Sequence, residues 1–550
     1  MTALFDIFGY LSVVLHGLEL VAQTVLIGSV SYTLWIAVPP ESENLNSRRT
    51  LDGGRRLIVA AALAVTVLVI ASTALNAAVL FSSLDTTVGE ISGAGFVFAG
   101  AVKVLGTMLV AAATMLRRGG AWIRTAMGAG AAMVLGGAVG TSHAVARLGS
   151  SGLLITATAM HELGAALWLG GLPSLWLALG RTDAAWKARA IGMRYSELAI
   201  AGVALIAAGA VVFAAVYIGS LDGAYGTAYG ATAVTKSILF GMLLLLGLAN
   251  FRAVRRFMID SEAQRRTRRF IEVEMGLGFA VLMAAASITS LPPAVDLVDN
   301  RLTASDIAGR LTPRWPRLES PEHAGLAIPA LQARLDAQAL STRMTRPKAF
   351  VPGGGELPPR NAEDVAWSEY NHHWAGLLVA LMGLAALARR SGRVRWARHW
   401  PLLFLLLAVF LFFRADPEVW PLGRIGLIES LRDPEVAQHR LFELIIVGFA
   451  LFEWGVSTGR IAQPSLRRVF PVLVALGGTL LLTHSHSLGN VKQEMLIEMT
   501  HLPIAVLGIT AGWARWLEVE APAQEGSWAR WVWPACFVLI GLLLVLYREA

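Results

Sequence analysis

Apolar stretches long enough to cross a bilayer recur along the whole 550-residue chain, separated by short polar loops rich in arginine. A helix rises 1.5 Å per residue, so about 20 apolar residues cover the hydrocarbon core. The pattern predicts spans near 9–38, 56–81, 93–116, 122–146, 151–179, 197–218, 232–251 and 270–290, then near 370–388, 400–413, 440–458, 469–486, 494–514 and 530–547. That is an all-α, polytopic integral membrane protein with about 14 transmembrane helices in two bundles. The fragment 420–430 reads as a short re-entrant or surface helix.

Between the two sets, residues 291–369 break the pattern and hold 10 of the 22 prolines. We therefore divide the chain into an eight-span domain, 1–295, a Pro-rich outward linker, 296–368, and a six-span domain, 369–550. Within the linker, Ala324 to Leu340 has leucines at helical spacing and reads as a surface helix.

Basic residues set the orientation. Loops after odd-numbered spans carry Arg48, Arg49, Arg55 and Arg56, then Arg117, Arg118 and Arg124, then Arg181, Lys187, Arg189 and Arg194. The series continues with Arg252, Arg255, Arg256, Arg265, Arg266, Arg268 and Arg269. In the second half it runs through Arg389 to Arg398, Arg460, Arg467 and Arg468, and Arg515 and Arg530. The alternate loops 82–92 and 219–230 hold no Lys or Arg. An even number of spans then places both termini on the outer side. The start, Met1-Thr-Ala-Leu-Phe-Asp, has no basic n-region or cleavage site, so no signal peptide is expected. The Ala/Gly/Arg-rich composition suggests a bacterial inner membrane, with the outer side in the periplasm.

Composition agrees. The chain is 55% hydrophobic and only 15% charged, with a mean hydropathy of +0.59. Soluble domains average about 25% charged, and disordered chains are poorer still in apolar residues. The net charge of +8 is accounted for by the inner loops, so no nucleic-acid partner is expected. A single cysteine, Cys536, excludes a disulfide framework, a Cys-x-x-Cys pair and any thiolate cage.

Histidine placement carries the chemistry. Of eleven, His399 alone falls on the inner side and His323 lies in the linker. His16, His143, His161, His372, His373, His439, His484, His486 and His501 all lie at the outer ends or in the outer half of spans. His161 sits about 15 Å along its helix from the outer end, and His16 and His501 about 10 Å. A polar group at that depth faces the bundle interior or a wet cavity. Imidazole binds copper well, and thioether sulfur selects the cuprous ion. Met160 adjoins His161, while Met495 and Met499 precede His501. The candidate metal-binding set is therefore His16, His143, Met160, His161, His372, His439, His484, His486, Met499 and His501. Adjacent His372 and His373 point about 100° apart on a helix, so they cannot easily face one centre, and one of them is expected at the interface.

Other buried charges admit two readings each. Glu19 shares a helix face with His16 and can orient its imidazole. Lys103 and Lys236 lie inside spans, and either can neutralise Glu19 or Glu274. Glu494, Glu498 and His501 form one stripe that suits a cation path or a structural polar seam. A weak internal echo links the halves: spans one and nine carry His16 and His372-His373, and spans five and thirteen carry His161 and His501. Spans four and twelve end in Ser142-His143 and His484-Ser-His486.

His161-Glu-Leu-Gly-Ala-Ala-Leu-Trp168-Leu-Gly-Gly-Leu172 resembles the His-x-x-x-Ala-x-x-Trp-x-Gly-Gly-Leu signature of the copper resistance protein D family. Ser142-His143-Ala, Tyr229-Gly230 leading to Lys236 and Asn250-Phe-Arg252, and Glu272-Val-Glu274 through Leu291-Pro292-Pro293 follow in the family's order. The resemblance covers about residues 1–295. It implies an eight-span inner-membrane protein of copper uptake or resistance, working with a small periplasmic copper-binding partner. It implies copper handling at His143 and His161, and less firmly at His16. The six-span second half departs from that pattern, although Glu369-Tyr-Asn-His372-His373-Trp and Gln438-His439-Arg resemble segments of larger family members. The linker holds only His323 and Met344, so it has no Met/His-rich copper tract.

Three functions compete. The first is copper transport, with capture at outward His/Met sites and passage between helices. No Gly-x-x-x-x-Gly-Lys-Ser/Thr loop is present to drive it with ATP. The second is a b-type haem redox protein ligated by two histidines on neighbouring helices. The third is a copper-responsive scaffold that moves no ion. No nucleophile–base constellation is readable, so an enzyme is not expected.

Overall fold

A computed structural model describes residues 2–36, 45–83, 87–116, 120–142, 145, 151–260, 262–321, 362–416, 419–423, 426–431, 434–483, 491–520 and 528–549. Every predicted span falls on a helix, and no strand occurs among the described residues. The protein is an all-α polytopic membrane protein. Eleven of its described helices are long and apolar enough to cross a membrane, and Ala529–Val545 is a shorter apolar one. The remaining two predicted spans, in Pro434–Ser457 and Val491–Glu520, form helices that are not among those eleven. Both are interrupted by ionisable side chains, Arg440, Glu443 and Glu453 in one and Glu498, Arg515 and Glu518 in the other.

The chain divides into two compact units. The first gathers Met1–Leu221, Thr232–Asp296 and Leu482–Ser485; the second gathers Asp222–Ala231, Leu297–Leu481 and His486–Ala550.

The helices of the first unit are α1 (Thr2–Trp35), α2 (Leu45–Ser83), α3 (Val88–Ser92), α4 (Gly95–Met115), α5 (Ala121–Gly140), α6 (Ser151–Ala165), α7 (Leu172–Leu179) and α8 (Ala185–Phe213). After the short α9 (Leu221–Tyr225) come α10 (Ala228–Val254) and α11 (Ala263–Ile288). Helix α1 is central, packing on α2, α5, α11 and the α6–α7 region. Leu26 and Val30 of α1 meet Ile58 and Val65 of α2, Val110 of α4 and Val134 of α5 in one apolar core. The opposite face of α2 is also apolar: Leu63, Val67 and Ile70 are 64%, 56% and 57% exposed at i, i+4 and i+7. That stripe belongs against acyl chains.

Between α6 and α7 the backbone widens into a π turn, Ala166–Gly170. It lies where α1 comes closest. A Cβ added to Gly28 would sit 2.2 Å from the Ala166 carbonyl oxygen, and one added to Gly170 would sit 1.9 Å from that of Thr24. Without a hydrophobic driving force between helices in lipid, such small-residue crossings supply the packing.

The second unit contains the short α12 (Ala304–Leu311), α13 (Ala362–Arg390), α14 (Leu403–Arg414), the short α15 (Leu427–Ser430), α16 (Pro434–Ser457), α17 (Val469–Leu481), α18 (Val491–Glu520) and α19 (Ala529–Val545). Helix α13 packs along α19, and α18 joins α19 to α17. An aromatic core of Trp400, Phe449, Phe470, Trp533 and Phe537 lies among them. Gly376 and Gly541 let α13 and α19 touch backbone to backbone. Of the linker, the part to residue 321 is described: Thr303 caps α12 with Asp306, and Arg310 Nη1 donates to the Glu549 carbonyl at 2.6 Å. The predicted surface helix Ala324 to Leu340 lies outside the described residues.

Gly28→Val is expected to lower the melting temperature of detergent-solubilised protein by several degrees, since overpacking costs about 1–3 kcal/mol even against mobile side chains. Gly136→Ala, whose added Cβ meets nothing within 4 Å, is expected to leave it unchanged or raised.

Candidate functional site

Two of the predicted histidines converge in the second unit. His372 on α13 and His501 on α18 have ring centroids 6.5 Å apart, nearly perpendicular. Tyr547, just past α19, stacks on His372 at 3.9 Å and meets His501 edge-on at 6.2 Å. The His372 tautomer follows from its neighbour. Nδ1 lies 2.8 Å from the Ser368 carbonyl oxygen, which only accepts, so Nδ1 carries the proton. The lone pair is therefore on Nε2, and among the described residues no donor reaches it. A backbone carbonyl on one ring nitrogen is the usual way a metal-binding histidine is oriented. Ser368 and the Tyr547 hydroxyl both donate to Glu549 Oε2, the latter at 2.7 Å.

The neighbouring His373 does different work. Its Nδ1 accepts from the Arg317 amide at 2.7 Å, and its Nε2 donates to the Tyr547 carbonyl at 2.8 Å. Both nitrogens are used and the side chain is 4% exposed. The two rings meet different partners, as the 100° step between adjacent helical residues requires. His373 ties the linker and the C-terminal segment to α13 and has no lone pair for a metal. Trp374 Nε1 adds a bond to the Leu318 carbonyl.

In the first unit His161 on α6 is oriented in the same way. Its Nδ1 lies 3.0 Å from the Ile206 carbonyl oxygen of α8, again leaving the lone pair on Nε2. Phe213 packs against the ring edge at 5.3 Å. Gly209 makes the room: a Cβ there would come within 2.9 Å of the His161 Cβ.

The same unit holds a buried ion pair. Lys103 of α4 reaches Glu19 of α1 at 2.6 Å, with side chains 5% and 7% exposed. Ser72 of α2 donates to the second Glu19 oxygen at 3.2 Å, and Lys103 also reaches Thr141 at 3.3 Å. Gly137 clears the lysine stem, since a Cβ there would meet Lys103 Cγ at 2.6 Å. Glu162, next to His161, lies within electrostatic reach of both charges, and its Oε2 has no hydrogen-bond partner. Glu19 thus serves Lys103 and Ser72, and its carboxylate is not reserved for His16. Lys236 does not neutralise Glu274: Trp168 Nε1 donates to one oxygen at 2.7 Å and Asn250 Nδ2 to the other at 2.5 Å.

The remaining predicted residues separate. His439 donates from Nδ1 to Asp416 at 2.8 Å on α16, beside the buried Arg440–Glu443 pair. His16, Met160 and Met499 are partly buried on α1, α6 and α18, and Met495 is 2% exposed. His143, His484 and His486 lie outside the described residues, as does the Glu494 side chain. Among the described residues no group of three or more His, Cys, Asp or Glu is arranged to hold an ion. Sequence reading missed Tyr547, Ser368 and Glu549, which shape the His372 site. Tyr547-Arg-Glu549 at the end of an apolar helix was the available signal.

The family match falls mostly on the first unit. Residues 189–288 match the family model of copper resistance protein D. Over these residues the chain is similar to the copper resistance protein D family. "Copper transport protein CutJ" of Bacillus subtilis (strain 168) is 33% identical over 141 residues, 24% of this chain and 24% of that protein's length. No solved structure matches. The matched stretch contains most of α8 and all of α10 and α11, and with them Ile206, Lys236, Asn250 and Glu274. His161 is therefore outside the matched stretch but is oriented by a carbonyl within it.

Lys103→Met is expected to destabilise the protein by about 3–5 kcal/mol, because it leaves Glu19 buried and unpaired. The double variant Glu19→Gln/Lys103→Met is expected to recover most of that loss in a thermal melt. Equal melting of the single and double variants would show that the pair is not coupled.

Proposed function

We propose that this chain is a copper-handling protein of the bacterial inner membrane that binds cuprous ion on paired imidazoles in its outer half and passes it between helices. The carrying observation is the convergence of His372 and His501 at 6.5 Å with the His372 Nε2 lone pair uncommitted. Two rings sharing one ion at about 2 Å per bond have centroids roughly 6 Å apart. A pair of neutral imidazoles is a poor site for zinc or cupric ion, which want four ligands, and it suits the low coordination number of the cuprous ion.

The first unit supports the same reading through position. His16 and His161 stand on the first and fifth spans of their set, as His372 and His501 do on theirs. His161 is oriented by a backbone carbonyl like His372. Two sites of few ligands, one per unit, fit a carrier that must release its cargo. Transport and not catalysis is the assigned role. With both termini outward, the sites open to the periplasm, and the linker lacks a Met/His-rich tract. Copper would therefore arrive from a separate small periplasmic carrier.

His372→Ala and His501→Ala are each expected to weaken cuprous binding by roughly 100-fold in a competition titration against a cuprous chelator. His399→Ala, on the arginine-rich side, is expected to leave it unchanged. Equal binding by all three variants would overturn the assignment, and a Soret band in the purified protein would give the pair to haem instead.

A further inference from the structure

The first unit contains a cavity of about 330 Å³ that the copper reading does not use. It lies at the arginine-rich ends of α8, α10 and α11, far along α10 from Lys236. Its walls are almost wholly apolar, with Leu172, Val203 and Ile271 among the lining residues. Ile200, Leu244 and Leu248 flank it and are 61%, 39% and 42% exposed, so it opens sideways to hydrocarbon.

The polar lining is concentrated around one carboxylate. Glu274 takes one hydrogen bond from Trp168 and one from Asn250, which fills both oxygens once. Asn250 is 8% exposed and Thr267 is 0% exposed, both line the cavity, and Asn250 Oδ1 and Thr267 Oγ1 have no hydrogen-bond partner. An unmade hydrogen bond on a buried group costs about 1–3 kcal/mol. Two such atoms among the lining of one cavity the size of a small-molecule site describe an absent polar partner. Asn250 Oδ1 only accepts, and the carboxylate also accepts, so the missing group must donate.

We propose that this cavity binds a lipid-soluble molecule with an apolar body and one hydroxyl group, an alcohol or a phenol, entering from the bilayer. The hydroxyl donates to Asn250 Oδ1 and accepts from the Thr267 hydroxyl, and the body fills the space between α8 and α10. A bare acyl chain would fill the volume and leave both atoms orphaned. The proposal is independent of the copper reading.

The test compares 4-hexylphenol with hexylbenzene, which lacks the hydroxyl, in equilibrium binding to the full chain in lipid nanodiscs, with empty discs subtracted. The wild-type chain is expected to bind the phenol at least tenfold more tightly. Thr267→Val keeps the shape and removes the hydroxyl, and should shrink that preference severalfold while hexylbenzene binding stays. Gly247→Leu fills the cavity from a wall where an added Cβ comes 3.3 Å from the Trp168 ring, which must give by a few tenths of an ångström, and 3.6 Å from Glu274, and should abolish binding of both compounds. Equal binding of the two compounds to the wild-type chain overturns the proposal, as does phenol binding that survives Gly247→Leu. Cuprous titration of the same variants should be unchanged, which separates a failure here from a failure of the copper assignment.

Discussion

In a bilayer core an imidazole, carboxylate or ammonium has no water to turn to, so each such group in this chain is placed by the partner it finds. Lys103 closes on Glu19 at 2.6 Å and draws Ser72 and Thr141 around it, which ties α1, α2, α4 and α5 together at one level. Glu274 is held by an indole and an amide. His373 spends both nitrogens on backbone. Against that background, a histidine with one nitrogen fixed and the other uncommitted stands out. His161 and His372 are both of this kind, and each is fixed by a backbone carbonyl that dictates its tautomer.

The same constraint explains why glycine is so frequent at the crossings. Close approach between α1 and the π turn at Ala166–Gly170 depends on Gly28 and Gly170, and the Lys103 stem and the His161 ring lie in spaces left by Gly137 and Gly209. The small residues are thus part of how these polar groups are accommodated: Lys103 and His161 are each matched by a missing Cβ on a facing helix.

Much of this was legible in the sequence. Apolar run length set the helices, since a bilayer leaves few alternatives to a helix of about 20 residues. Histidine placement singled out His372 and His501, which meet in the second unit, and the 100° step between His372 and His373 foretold that they would part. What one-dimensional reading could not supply was pairing across the bundle. Nothing local says that Lys103 and not Lys236 meets Glu19, that Glu19 turns away from serving His16 alone, or that Tyr547 folds back over His372 from the far end of α19. These are long-range choices made by helix packing. The π turn was equally hidden, because Ala166–Gly170 reads as an uninterrupted apolar helix, and its extra residue becomes visible only against α1.

Residues 189–288, which match the copper resistance protein D family model, supply the carbonyl against which His161 is oriented, while the converging pair lies in the other unit. The account therefore holds that the second unit is a working part of copper handling and not an appendage. Anomalous scattering at the copper edge, from crystals of the full chain loaded with cuprous ion under reducing conditions, tests that most directly. The account predicts a peak between His372 and His501, within about 2 Å of the His372 Nε2. Copper peaks confined to other positions, with none at this pair, would contradict it.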